Sequence, residues 1–151
     1  MENKNNDKVN SENYQTQKIL TKDELTYKII GCAMKVHNTM GPGFQEVIYQ
    51  RCLAIELERA GLGFQREQEQ TVYYETIEVG TRRADFIVED KIVVELKALV
   101  NLEDVHLAQA KNYVVAYDFP LGLLINFGSQ SLQHKLLFNP KYHPKPNSVN
   151  S

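Results

Sequence analysis

Cysteine is scarce: Cys32 and Cys52 are the only two, and neither belongs to a CxxC pair or a Cys/His cluster. That excludes a thiolate zinc site and leaves two reduced thiols on helical patterns beside apolar residues as the expected reading. Positive charge is not in excess either. Seventeen Lys and Arg stand against nineteen Asp and Glu, for a formal net charge of -2. The chain as a whole is therefore no electrostatic glue for nucleic acid, which would need a local basic patch or bound cations. No apolar run approaches the roughly 20 residues of a membrane span, so no membrane partner is expected. The first ten residues contain no apolar segment of the kind a secretory signal needs, and a cytoplasmic location is expected. No internal repeat occurs, and the Gly41-Pro42-Gly43 stretch is not followed by the GK[ST] of a phosphate loop.

What is present fits one domain: 151 residues, 42% hydrophobic and 24% charged. Residues 1–20 are polar, without periodicity, and are expected to be a disordered lead-in. Residues 21–138 form the expected domain, followed by a flexible Pro- and Asn-rich tail over 139–151. Thr21 and Glu24 make a capping box. Leu25, Ile29, Cys32, Ala33, Val36 and Met40 then repeat at helical spacing up to the Gly41-Pro42-Gly43 stop. A second helix is expected over residues 44–60, with Phe44, Val47, Ile48, Leu53, Ile55 and Leu57 as its apolar set and Gly61 as its stop. Strands are expected over 64–74, 81–88 and 92–99, the last two forming a hairpin about Glu89-Asp90-Lys91. A third helix opens at Asn101 as N-cap and runs to about residue 117. An apolar strand follows over 121–127, with one more over 131–138. The fold class is mixed α/β, or α+β, in one layered domain.

The hairpin carries the chemistry. Side chains alternate faces along a strand, so Val93, Glu95, Lys97 and Leu99 share one face, and Arg83, Asp85 and Ile87 share one face of the preceding arm. Ala84, Phe86 and Val88 then share the other. Pairing Val88 with Ile92 and Phe86 with Val94 matches apolar to apolar and sets Asp85 opposite Glu95, with Cβ atoms about 5 Å apart. Two carboxylates so placed repel unless a cation lies between them. A hard divalent ion such as Mg²⁺ or Mn²⁺ takes one or two such carboxylates and completes its shell with water, the Leu96 carbonyl being an additional candidate ligand. Lys97, two residues past Glu95, can orient water and offset charge on a phosphoryl transition state. Alternatively, Glu95 and Lys97 form a surface ion pair and Asp85 pairs with Arg83; but charges on strands this apolar require a reason.

Gly43-Phe44-Gln45-Glu46-Val47-Ile48-Tyr49 fits the signature of the GxxExxY protein family, which the chain resembles from about residue 21 to residue 128. The likeness also takes in Val36-His37, Arg83-Ala84-Asp85, Glu95-Leu96-Lys97, the stretch from Gln109 to Tyr113, and residues 121–128. That family is assigned to the PD-(D/E)XK nuclease superfamily. The resemblance implies a restriction-endonuclease-like αβββαβ core, here with an additional N-terminal helix, and Mg²⁺-dependent cleavage of DNA or RNA. It also implies Asp85 as the motif's aspartate, Glu95 and Lys97 as its E-x-K, Glu46 as the helix glutamate beside the site, and Gln109 with Tyr113 as a Q-xxx-Y pair. Ala84 stands where the superfamily label has proline.

Glu46 and Tyr49 share a helix face, Glu46 either serving the metal or simply favouring the helix N-terminus. Gln109 and Tyr113 share a face of the third helix, the amide holding water, phosphate or Lys97, or satisfying a buried backbone group. His37 backs the site or caps its helix. His106, His134 and His143 show no metal spacing. Arg82, Arg83, Lys28, Lys35, Arg51 and Arg59 are phosphate contacts or solvated charges. A homodimer is compatible with the sequence. The rival to an enzyme is a nuclease-fold module that has lost catalysis and binds nucleic acid or a protein partner.

Overall fold

The structure, a computed structural model, describes residues 19–144. Of the expected lead-in, residues 1–18 lie outside the described residues, and of the expected tail, residues 145–151. Helix α1 spans Lys22–Met40 and starts where the capping box places it. Thr21 Oγ1 accepts the Glu24 N–H at 3.1 Å, and Glu24 Oε2 accepts the Thr21 N–H at 3.0 Å. Leu25, Ile29, Cys32, Ala33 and Val36 are its buried stripe. Helix α2 spans Glu46–Arg59. Its buried set is Tyr49, Gln50, Leu53, Ala54 and Leu57, whereas Phe44, Val47 and Ile55 of the expected apolar set are exposed. The helix is rotated so that the 49/53/57 row, four residues apart, faces the sheet.

Five strands follow in register order β1-β2-β3-β4-β5: Phe64–Tyr74, Ile77–Val88, Ile92–Lys97, Leu121–Asn126 and Gln133–Phe138. All pairs are antiparallel except β3 with β4, between which helix α3 (Asp104–Ala116) crosses over. Parallel neighbours need such a crossover. Strand β2 begins four residues earlier than expected, because its pairing with β1 continues through Tyr74 and Ile77. Helix α3 is capped at Glu103 rather than Asn101, with the His106 ring accepting the Glu103 N–H at 3.0 Å.

The sheet is covered on both faces. Helices α1 and α2 pack on Phe86, Val88, Ile92, Val94, Leu96, Leu123 and Ile125. A smaller cluster of Ala84, Ile87, Val93, Tyr113, Tyr117 and Phe119 joins the other face to the end of α3. An added Cβ at Gly122 would overlap the Val114 side chain, so the absent side chain is what lets α3 lie close on β4.

The hairpin register is the expected one, with Val88 opposite Ile92 and Phe86 opposite Val94. The expected face of Ala84 is corrected: it packs with Ile87 and Val93, not with Phe86 and Val88. The β1–β2 register skips Glu67 and Asp85, and Glu67 adopts φ 50°. Strand β2 therefore changes facing at Asp85, as an irregularity in a ladder does.

Candidate metal centre

The β2–β3 ladder ends at Phe86 and Val94, and the two acids lie just beyond it. Asp85 is half-buried and fully engaged. Its Oδ2 accepts the Leu96 backbone N–H at 2.8 Å, and its Oδ1 accepts Gln50 Nε2 at 3.0 Å. Gln50, 5% exposed on α2, in turn accepts Arg66 of β1 at 3.1 Å. Glu95 is 6% exposed. Its Oε2 pairs with the Arg82 guanidinium at 3.2 Å, and that guanidinium lies over the Tyr113 ring. Its Oε1 is buried with no hydrogen-bond donor among the described residues. Arg82 Nε and the Tyr117 hydroxyl nearby are buried without hydrogen-bond partners among the described residues as well.

Burial first, and then the Asp85 charge, push the Glu95 carboxyl up to about 8, against the pull of Arg82. Glu46 is raised too, by desolvation and then by Asp85, with Lys97 acting in the opposite sense. The Tyr117 phenol is pushed up to about 12, by burial and then by Glu95. These mutual effects place Glu46, Asp85, Glu95 and Lys97 within one electrostatic neighbourhood, under acid repulsion that a cation would relieve. The Lys97 carbonyl accepts the Phe127 N–H at 2.9 Å, while its ammonium has no hydrogen-bond or ion-pair partner among the described residues.

Among the described residues no group of three or more His, Cys, Asp or Glu side chains could hold a metal by itself. The donor set nevertheless fits Mg²⁺, which takes one or two carboxylates and water. The orphaned Glu95 Oε1 is the acceptor such an ion would satisfy. In an extended strand the N–H and C=O of one residue point to the same side. The Leu96 N–H is aimed at Asp85, so its carbonyl faces the same gap.

A sequence model of the PD-(D/E)XK nuclease superfamily matches residues 23–136, three quarters of the chain. The chain belongs to that superfamily. Its fold is mixed α+β with a five-stranded sheet, consistent with the restriction-endonuclease-like architecture. A solved structure described as "Crystal structure of SSO0001" shares the fold with a TM-score of 0.51 at 19% identity, over 63% of this chain and 50% of that one. The chain thus spans about half the length of that structure. No curated protein matches significantly.

Other residues singled out in the sequence lie as follows. Glu46, the first residue of α2, is exposed at the rim. Tyr49 sets its approach: the hydroxyl donates to the Gly41 carbonyl and accepts the Phe44 N–H at 3.1 Å, and the ring stacks on Phe127. The turn it clamps contains Gly43 at φ 109°, a conformation that favours glycine. The His37 ring bonds the Ser129 carbonyl at 2.8 Å, tying α1 to the β4–β5 connection. Tyr113 supports Arg82. Gln109 is exposed on α3, one turn before Tyr113, and not among apolar neighbours as expected. The buried residues of that helix are Ala110 and Val114. Sequence reasoning missed Gln50 and Arg66. Gln50 stands four residues after Glu46, hence on the same helix face, and that spacing was its available signal.

Proposed function

We propose that this protein is a Mg²⁺- or Mn²⁺-dependent nuclease that hydrolyses phosphodiester bonds of DNA or RNA. The observation that carries the reading is the pair Asp85 and Glu95 at the open end of the β2–β3 ladder, with Glu95 Oε1 buried and without a donor among the described residues. Asp85, Glu95 and the Leu96 carbonyl hold the metal, and Glu46 reaches it from the start of α2. When bound, the ion supplies Lewis acidity at the scissile phosphate. Lys97, whose ammonium is unpaired among the described residues, holds and activates the attacking water and offsets the charge growing on the phosphoryl oxygens. Gln109 and Tyr113, on one face of α3, support the substrate side of the site. Within the superfamily we place the chain beside the GxxExxY proteins, on the strength of Gly43, Glu46 and Tyr49. The setting we propose is the cytoplasm, in keeping with the free thiols of Cys32 and Cys52. No helix among the described residues is long and apolar enough to cross a membrane.

One observation favours a second reading. The Arg82 guanidinium already occupies one oxygen of Glu95, a carboxylate that the nuclease reading assigns to the metal. That would suit a module that binds nucleic acid or a protein partner and does not cut.

Mn²⁺ titration by calorimetry separates the two. The nuclease reading requires a single site that weakens at least about tenfold in Asp85→Ala. An Asp85→Ala variant that binds Mn²⁺ as the parent does would contradict it.

A further inference from the structure

We infer that Gln50 and Arg66 form a positioning relay that holds the Asp85 carboxylate in place for its ligand. The inference rests on the metal-centre reading above. The geometry gives the relay a direction. A guanidinium can only donate, so Arg66, at 3.1 Å, fixes the Gln50 carbonyl oxygen on its own side. The amide nitrogen is then turned toward Asp85 Oδ1 at 3.0 Å and can only donate there. Asp85 Oδ2 meanwhile receives the Leu96 N–H at 2.8 Å. Both carboxylate oxygens are thus pinned by donors, one from α2 and one from β3. This fixes the side chain's torsions while leaving each oxygen a further lone pair for a cation.

Gln50 is 5% exposed on a helix whose other buried residues are apolar apart from Tyr49. A buried amide is costly unless it is hydrogen-bonded, and with both ends satisfied by Arg66 and Asp85 it rigidifies the groups that it joins. Arg66 lies on β1 across from Phe86, one residue from the position where the β1–β2 ladder skips Glu67 and Asp85. The relay therefore spans the irregularity that turns Asp85 out of the ladder. Gln50 and Arg66 touch no substrate atom in this scheme; they act through Asp85.

The test uses Gln50→Met, which keeps length and apolar volume, with Arg66→Met, Arg66→Lys and the Gln50→Met/Arg66→Met double variant. Two readouts are taken on the full chain: the Leu96 amide resonance and its exchange rate without metal, and Mn²⁺ affinity. Gln50→Met is expected to shift the Leu96 amide, speed its exchange and weaken Mn²⁺ binding about 10-fold or more, the range typical of outer-shell partners. Arg66→Met should move both readouts in the same direction by less, and Arg66→Lys should restore most of the change. The double variant should match Gln50→Met, because Arg66 acts only through Gln50. A general packing role would move thermal stability without this coupling. An unchanged Leu96 amide in Gln50→Met, or additive losses in the double variant, would overturn the relay. If the parent binds no Mn²⁺ but the Leu96 amide responds as described, the relay stands and the nuclease reading fails.

Discussion

Glu95 pairs with Arg82 through one oxygen and leaves the other buried without a donor, so its charged form is poorly accommodated. Its carboxyl is pushed from the usual 4.5 up to about 8. Between those values the folded protein holds a proton that the unfolded chain has released. The stability linked to it is fully present below about pH 4.5 and is lost as pH rises toward 8, at up to about 1.4 kcal/mol per unit. Urea unfolding between pH 5 and 9 should show this decline, and Mg²⁺ should reverse it at pH 8 by binding the ionised form. Glu95→Gln should raise the unfolding midpoint at pH 8 and not at pH 5, since the amide stays neutral as the protonated carboxyl does and leaves no buried charge at pH 8. A flat profile, or equal effects at both pH values, would contradict the assignment. Asp85, Glu95 and Lys97 were legible because strand alternation and an apolar register leave few options for where they sit. Gln50 was harder to find, because its partner Asp85 lies 35 residues away and its only local mark is its place one turn after Glu46.

At the scale of elements, helix existence was easier to read than helix phase. The α3 spacing puts Gln109 and Tyr113 on one face, but Gln109 is exposed, and the residues that pack are Ala110, Tyr113, Val114 and the capping Tyr117. The shift follows from Gly122: the sheet is hollow opposite Val114, so the helix settles there. Gly122→Ala should therefore destabilise the fold by about 1–3 kcal/mol, the range for overpacking. Val114→Ala in the same chain should recover part of the loss, as measured by chemical unfolding. Full additivity of the two substitutions would place α3 elsewhere. In α2 the apolar residues Phe44, Val47 and Ile55 drew attention because they are large, yet they face solvent. Tyr49, Leu53 and Leu57 are the row that meets the sheet, at four-residue spacing.

For the whole molecule, the order of helices and strands was legible from periodicity and turn residues, and the parallel β3–β4 pair follows from the helix between them. The change of facing in β2 was not, because it depends on a ladder irregularity shared with Glu67 of the neighbouring strand. That irregularity matters for the site: it sends Asp85 toward Leu96 and Gln50 while Arg82 reaches Glu95. The three-layer arrangement thus brings α2, β2 and β3 together where the sheet's pairing stops, and the proposed chemistry occurs there. The most direct measurement is cleavage of labelled single- and double-stranded DNA and RNA with Mg²⁺ or Mn²⁺, comparing the parent with Lys97→Ala. Metal-dependent cutting by the parent, reduced at least about 100-fold in Lys97→Ala, is the expected result. Equal cutting by both, or none by a folded parent that binds the metal, would contradict a nuclease centred on these residues.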